Sequence, residues 1–278
     1  GTEYGVYVSL NQGEKWHKFS NGLPTISIRD LAIQKRENDL VLATFGRSFY
    51  VMDDYSPLRD VSPQTLQKQA HLFTPRKALQ YSPIMGGTGS SGGAAYTAKN
   101  PGYGTAITYY LSEGHSSMKS KRQKRERKLK KEDVPFPGWD ALDKEMTEAK
   151  AEAVLMVRNS AGDLVDVISS SLRKGLHRVN WGLRSSVSTT TTVSSSVPSR
   201  GRWGGGFRGG GGMSSNVDPG TYQVSLYKRI GGVLTELAGP VSLEVERIRE
   251  NVLTNPLADK HKKYNQALAE LTTAVSVY

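Results

Sequence analysis

The eight residues Ser9–Trp16, SLNQGEKW, decide the interpretation of the N-terminal part of the chain. The side-chain carbonyl of Asn11 can accept hydrogen bonds from nearby backbone N–H groups and so close an Asx-type turn. Gly13 supplies the positive φ that a tight hairpin requires. The Ser9 hydroxyl adds a local hydrogen bond, and Trp16 is predicted to lay its apolar face under the turn as an anchor. The spacing therefore predicts a structural turn between two strands, without a nucleophile beside a base.

Short strand-like runs separated by turn residues continue from Gly5 to Asp54. The runs GVYVSL, KWHKFS, IRDLAIQ, LVLAT and SFYVM are rich in β-branched and aromatic residues, and ENDL is a turn. Tyr7 and Tyr50 occupy equivalent places in two of these runs, 43 residues apart. A period of about 40–45 residues is typical of a four-stranded propeller blade.

The opening stretch also carries a family resemblance. It resembles the Asp-box of bacterial neuraminidase repeats, Ser/Thr-x-Asp-x-Gly-x-x-Trp, with an asparagine in place of the usual aspartate. In that family the box is a hairpin between the outer strands of a propeller blade, away from the active-site face. The resemblance therefore implies structural roles for Ser9, Asn11, Gly13 and Trp16.

The wider N-terminal region is similar to one branch of that family. Residues 1–54 resemble the closing blades of bacterial sortilin-like propellers, which are often labelled glycosyl hydrolases. That branch usually carries His-Gly-Arg-Gly where this chain has FGRS at Phe45–Ser48, and MDDYSPL stands where a second box would be. The resemblance implies a propeller that ends near Asp54, and it makes Arg47 a candidate contact residue.

A second β-rich region lies further along the chain. The runs AVLMVR and LVDVI, joined by the turn NSAGD, predict a hairpin, and GLHRVNW alternates between two faces. With TAITYYL, GTYQVSLYKR, GGVLTEL and VSLEVE, these runs predict a β-sandwich of the immunoglobulin or fibronectin type III kind. The pieces GLHRVNWGLR and PGTYQVSLYKR resemble the immunoglobulin-like sandwich that commonly follows such propellers.

The fold class is therefore predicted to be all-β, with a helix at the C-terminus. We expect the end of a β-propeller at residues 1–58, a connector at 59–103, a β-sandwich at 104–248 and a helix at 249–278. The sandwich is expected to carry insertions at about 113–150 and 185–217. Because the sequence opens within a strand pattern and ends within a helical one, we expect it to be a fragment of a longer polypeptide.

Composition limits the classes of function. Cysteine is absent, which excludes disulfides, thiol nucleophiles and cysteine-ligated metals. No run approaches the ~18 apolar residues of a membrane helix. The net charge of +11 is largely local, because nine Lys or Arg residues fall within Lys119–Lys131 against the single Glu126. This segment is predicted to be a solvated helix or a disordered arm.

A Gly-rich segment, SRGRWGGGFRGGGGM, supports a rival hypothesis of nucleic-acid binding. Its aromatic rings can stack on single-stranded bases while arginines meet phosphates. Because the segment interrupts the predicted sandwich, a loop that contacts solvent or a protein partner is favoured instead. Its candidate contact residues are Arg202, Trp203, Phe207 and Arg208.

The candidates for catalysis are weak. A glycosidase needs two carboxylates roughly 5–10 Å apart that face a sugar. Asp53 and Asp54 are the best candidates, with Glu3 and Tyr4 as a sialidase-like pair. Adjacent residues on a strand point to opposite faces, so neither doublet makes a natural acid–base pair. We therefore expect strand-end caps and solvated turns, and we assign no catalytic residue.

Metal and cofactor binding are not predicted. The histidines share no ligand spacing, and His177 is expected to be packed or hydrogen-bonded on its strand. No loop has the alternating oxygen ligands of a strong calcium site. The five histidines are His17, His71, His115, His177 and His261.

These observations favour a non-catalytic structural and interaction module of an exported bacterial sortilin-like protein, located in the periplasm, at the cell surface or outside the cell. The expected partners are the rest of its own propeller and other proteins of an exported or cell-surface assembly, with a glycan as a further candidate. Two alternatives stay open. One is a sialidase-like glycoside hydrolase whose catalytic residues lie mostly elsewhere, and the other is nucleic-acid binding through the basic and Arg/Gly-rich segments.

Overall fold

A computed structural model describes residues 1–81, 100–129, 134–185 and 215–248, together with residues 260, 263, 264 and 267. Strands make up most of its regular structure, so the expected β-rich fold is confirmed. The N-terminal strands are β1 (Val6–Ser9), β2 (Trp16–Phe19), β3 (Ile28–Gln34), β4 (Asp39–Thr44) and β5 (Phe49–Met52). The alternating runs in the sequence predicted each of these strands.

The N-terminal strands form two small sheets. β1 and β2 pair as an antiparallel hairpin, and β3, β4 and β5 form a three-stranded antiparallel sheet. Val6 of the hairpin and Ile28 and Leu42 of the sheet are buried together, so the two sheets share a small core. Partly buried Phe19 and Tyr50 pack against it.

The region expected to be a connector differs from that expectation. It contains a 3₁₀ helix (Ser56–Asp60), the short helix α1 (Pro63–Gln67), and the strands β6 (Ala70–Leu72) and β7 (Ala78–Gln80). Both strands enter the larger sheets of the C-terminal part, and Phe73 between them is buried. Pairing with distant strands thus converts part of this region into core.

The remaining strands build a unit of two larger sheets, to which the short pair β12–β13 is added. They are β8 (Thr105–Leu111), β9 (Glu152–Arg158), β10 (Leu164–Ser170), β11 (Gly175–Trp181), β12 (Arg184–Ser185), β13 (Ser215–Asn216), β14 (Gly220–Ile230) and β15 (Val233–Arg247). One sheet has the order β10-β9-β14-β15-β7, in which β7 lies parallel to β15, and the other has the order β11-β8-β6. The runs GGVLTEL and VSLEVE, expected as separate strands, form the single strand β15.

One hydrophobic core joins these two sheets. Ile107 and Tyr109 on β8 and Trp181 on β11 are buried with Leu155 of β9 and Leu226 of β14, among other apolar residues. The predicted alternation of β11 is confirmed, because Leu176, Arg178 and Asn180 are exposed while His177, Val179 and Trp181 are partly or fully buried.

Two helices lie in the first predicted insertion, at residues 113–150. They are α2 (Met118–Glu126) and α3 (Trp139–Thr147), and they contact each other. The basic segment is therefore helical and largely exposed from Lys119 to Glu126, in line with the first of its two expected forms, and residues 127–129 form a turn. Across the described part of the chain, no helix is both long and apolar enough to span a membrane.

The ends of the second predicted insertion pair with each other. β12 and β13 are antiparallel, with Arg184 opposite Asn216 and Ser185 opposite Ser215. The Gly-rich run itself lies outside the described residues. Of the predicted C-terminal helix, residues 260, 263, 264 and 267 are described and are helical.

Candidate functional site

The turn between β1 and β2 is held by two side chains. The Asn11 side-chain oxygen accepts from the backbone N–H of Lys15 (2.9 Å) and from the Ser9 hydroxyl (3.0 Å). Ser9 Oγ in turn accepts from the backbone N–H of Gly13 (2.7 Å), whose φ is +98°. The Asn11 amide nitrogen donates to the Glu14 carboxylate (3.2 Å). Local hydrogen bonds therefore define this turn, and its donors and acceptors are used within it.

Trp16 does not lie under the turn. Its side chain is 61% exposed, so the expected anchor is wrong for this chain. The reason is positional: Trp16 pairs with Ser9 at the end of the hairpin, and the core residues Val6 and Phe19 lie at its opposite end. The indole ring is therefore part of the surface.

The outer face of the sheet β3–β5 carries exposed apolar side chains, together with the exposed Asp30, which lies opposite Ala43. Across the sheet, Val41 lies opposite Val51, and Ala43 lies opposite Phe49. Phe49 is 70% exposed and Val51 is 54% exposed. Leu42, on the other face of the same sheet, is buried against the hairpin. Both faces of this sheet therefore carry apolar side chains, and those of the outer face are open to solvent.

A groove of about 370 Å³ runs between the hairpin and this sheet. It is lined mainly by apolar side chains, including Val8, Leu10, Phe19, Ile33, Leu40 and Met52. At one end, Arg59 lies over the ring of Tyr55 and donates to its hydroxyl (2.6 Å). The groove thus combines an apolar floor with a cation at its rim, and it offers no pair of facing carboxylates.

Two arginines join the N-terminal sheet to the two-sheet unit. Arg178 on β11 donates to the backbone carbonyls of Asp53 (2.5 Å) and Asp54 (2.6 Å) and to the Thr108 hydroxyl (3.3 Å). Arg76 donates to the Glu37 carbonyl (3.0 Å) and forms an ion pair with the Glu37 carboxylate. The chain after β5 and the turn between β3 and β4 are therefore both held by guanidinium groups.

The two candidate carboxylates have different surroundings. Asp54 is buried, and its carboxylate accepts from the backbone N–H (3.2 Å) and hydroxyl (2.5 Å) of Ser56 at the start of the 3₁₀ helix. Asp53 is exposed, and its pKa is raised by partial burial and by the neighbouring Asp39 carboxylate, against the opposing effect of Arg178. The Asp54 carboxylate is therefore engaged in the turn that follows β5.

The other candidate residues are scattered. Glu3 and Tyr4 are exposed near the turn formed by Thr2 and Gly5. Arg47 is exposed in the loop between β4 and β5. The remaining contact candidates, Arg202, Trp203, Phe207 and Arg208, lie outside the described residues.

His177 lies against β8. Its ring stacks on Tyr109 at 5.1 Å between centroids, and its Nε2 lies 2.7 Å from the carbonyl oxygen of Arg173. The expectation of a packed, hydrogen-bonded histidine is confirmed. Among the described residues, no group of three or more His, Asp or Glu side chains is arranged to hold a metal ion.

Comparisons with known proteins do not add an identity. No protein-family model matches the chain, and no curated protein matches it either.

Sequence reasoning missed the two arginines and the open sheet face. For Arg178, the sequence shows only a charged residue on the polar face of an alternating strand. Because such residues are common on solvated strands, this pattern did not distinguish Arg178 from an ordinary surface arginine. For the sheet face the signal was stronger, because Phe49, Tyr50, Val51 and Met52 are all apolar or aromatic. A strand with apolar residues on both faces is typical of a sheet that is covered on both sides.

Proposed function

We propose that this chain is a non-catalytic structural and interaction module: the end of a β-propeller followed by an immunoglobulin-like sandwich, from an exported bacterial protein of the sortilin-like kind. The observation that carries the proposal is the exposed apolar face of the sheet β3–β5, centred on Phe49 and Val51. The proposed occupant of this face is another blade of the same propeller.

The pattern of burial supports a blade. The sheet β3–β5 and the hairpin β1–β2 share no strand pairing and pack their apolar side chains together, as neighbouring blades do, while the backbone N–H of Ile28 donates to the Thr2 carbonyl just before the hairpin (2.9 Å). The opposite face of the sheet carries apolar residues of the same kind but lies in solvent. Contiguous exposed apolar patches on a soluble protein mark interaction sites. A blade covered on one side therefore has room for a second neighbour.

The turn at Asn11 agrees with this arrangement. Its hydrogen bonds are the ones that a structural hairpin of the Asp-box kind needs, and they leave the Ser9 and Asn11 side chains engaged within the turn. The Trp16 ring lies in solvent on the hairpin, so it is a separate exposed apolar side chain. These features support a structural role for the box and give it no part in chemistry.

An immunoglobulin-like sandwich is supported by two side chains of the larger core. Trp181 is buried and packs edge-on against Tyr222 at 5.4 Å between ring centroids. The Tyr222 hydroxyl donates to the carbonyl oxygen of Asp218 (2.6 Å), four residues upstream. A tyrosine bonded to the backbone a few residues upstream is a hallmark of such sandwiches, as is a buried tryptophan.

The contacts of Arg178 and Arg76 give the sandwich its proposed role. They connect it to the end of β5 and to the turn after β3, which are fixed points of the proposed terminal blade. The sandwich would therefore brace the closing edge of the propeller. Other proteins of an exported or cell-surface assembly are the proposed external partners, with a glycan as a further candidate.

Site-specific thiol labelling tests the proposed blade contact. The chain contains no cysteine, so one introduced thiol reports on one position. We expect the thiol of Val51→Cys to react freely in the 278-residue chain and at least tenfold more slowly in the product of the complete natural reading frame, because packing excludes the reagent.

Ser160→Cys, at an exposed position in the turn between β9 and β10, is the matched control. It should react at the same rate in both proteins. Equal rates at position 51 in the two proteins would contradict the proposed blade contact, whatever the length of the natural product.

A further inference from the structure

The pair of helices α2 and α3 carries charge and apolar surface that the propeller and sandwich do not use. We propose that this helical pair docks on the surface of a negatively charged lipid bilayer. The inference is independent of the blade contact, because it concerns a different part of the molecule.

The helical pair is held together by one arginine. Arg122 donates from Nε to Glu145 Oε1 (2.7 Å), from Nη2 to Glu145 Oε2 (2.9 Å) and from Nη1 to Glu126 (2.7 Å). The Arg122 guanidinium holds the pKa of Glu145 below its ordinary value. The backbone N–H of Met118 donates to the Glu148 carboxylate (2.7 Å), which ties the start of α2 to the end of α3. Three carboxylates are thus engaged inside the pair.

The cations that remain are directed to solvent. On a helical projection Lys121 and Lys124 lie on the side of α2 away from Arg122, whose side chain contacts α3, and Lys128 follows the end of the helix. These side chains are exposed. Among the residues of this segment that the structure describes, Lys119, Arg125 and Arg127 are exposed as well, whereas Arg122 is partly buried. Near an anionic bilayer, each Lys or Arg contributes about 1 kcal/mol, or roughly fivefold in binding.

The helix α3 adds apolar side chains suited to the bilayer interface. Trp139 is 74% exposed and Met146 is 77% exposed, and on a helical projection the two lie on one side of α3, which also carries the exposed Asp143. Phe136 packs edge-on against Trp139 at 5.2 Å between ring centroids and is also exposed. Tryptophan is favoured at the headgroup level of membranes.

The mixture of side chains favours a lipid surface over a nucleic acid. Base stacking uses open aromatic faces along a groove that follows the backbone. Here one aromatic pair is packed edge-on, and the flexible Met146 follows two turns further along α3, where acyl chains would bury it. A basic helix combined with an apolar anchor supplies the two contributions that peripheral membrane binding requires.

Vesicle co-sedimentation of the full chain tests the proposal. Vesicles of phosphatidylcholine alone are compared with vesicles containing roughly one third phosphatidylserine. We expect binding to the anionic vesicles, weaker binding at raised salt, and little binding to neutral vesicles. No binding to the anionic vesicles would overturn the proposal.

Two matched charge variants separate local from total charge. The test variant replaces Lys121, Lys124, Arg127 and Lys128 by Gln. The control variant removes the same charge from exposed positions elsewhere by replacing Lys15, Lys18, Lys35 and Lys68 by Gln. We expect the test variant to lose at least about tenfold in vesicle binding and the control variant to lose less than about threefold. Equal losses would overturn the assignment to α2.

Fluorescence quenching by brominated acyl chains tests insertion of the aromatic ring. We expect quenching on anionic vesicles that the Trp139→Phe variant largely loses while it still binds. Unquenched fluorescence in the bound state would overturn the apolar part of the proposal. Tighter binding to a single-stranded oligonucleotide that displaces the vesicles would overturn it in favour of the nucleic-acid alternative.

Discussion

Arg178 is expected to control how firmly the segment after β5 is held against the two-sheet unit. Its guanidinium donates to two backbone carbonyls, those of Asp53 and Asp54, and to the Thr108 hydroxyl. Replacement by Gln removes the fork that reaches both carbonyls while keeping a polar side chain on the strand. The buried core of the two sheets lies on the other face of β11, so it should not be affected.

The size of the effect follows from the hydrogen bonds that are lost. A hydrogen bond to a charged group contributes about 1.5–3 kcal/mol when it is shielded from water. Arg178 is exposed, so solvent screening reduces this amount. We expect a total of about 2 kcal/mol, which corresponds to a roughly thirtyfold increase in local opening of the segment.

Hydrogen exchange at two neighbouring amides measures this opening. The amide of Asp54 donates to the Asp39 carboxylate (2.9 Å), and the amide of Tyr55 donates to the Asn38 carbonyl (2.8 Å). In Arg178→Gln both should exchange roughly thirtyfold faster, since both open with the segment.

Leu176→Gln is the control for the Arg178 experiment, because Leu176 lies on the same exposed face of β11. It should leave the Asp54 and Tyr55 amides protected. Unchanged protection of these amides in Arg178→Gln would refute the inference that this side chain clamps the segment.

Three further predictions concern the N-terminal sheets. Because the Trp16 ring is exposed, Trp16→Ala should change the free energy of unfolding of this chain by less than about 0.5 kcal/mol, as measured by urea titration. A loss of several kcal/mol would show that the indole ring is a buried anchor. Asn11→Asp should lower the free energy of unfolding by up to about 1 kcal/mol, because the new carboxylate faces the carboxylate of Glu14. Adding Glu14→Gln should restore the lost stability, and a double-mutant cycle measures this coupling. The pKa of Asp53 is raised by partial burial and by Asp39, so ionised Asp53 disfavours the folded state and stability is lost as pH rises through that pKa. Asp53→Asn should therefore be more stable than the parent protein at neutral pH, and this difference in stability should disappear in acid. Thermal melts of both proteins across that pH range measure the difference, and a difference that does not change with pH would contradict the prediction.

The sequence by itself determined two kinds of element. These are strands that alternate between core and solvent, and turns that are closed by hydrogen bonds between residues close together in the chain. The predicted runs TAITYYL and GLHRVNW coincide with β8 and β11 because each has one face in the core, which fixes a period of two. The turn NSAGD forms because the Asn159 side-chain oxygen accepts from the backbone N–H groups of Ala161 (3.0 Å) and Asp163 (2.8 Å). Such contacts span at most four residues, so residue type and spacing suffice to predict them.

Tertiary structure decided which segments become core and which side chains stay outside. The segments at Ala70–Leu72 and Ala78–Gln80 are too short to predict as strands, and they are strands because distant partners supply their hydrogen bonds, as β15 does for β7. Trp16 is exposed because a large aromatic residue is buried only where another element covers it, and its place in the hairpin does not specify that element. The reach of Arg178 to the end of β5 likewise depends on the relative position of two sheets, which hydrophobic packing and non-local pairing set together.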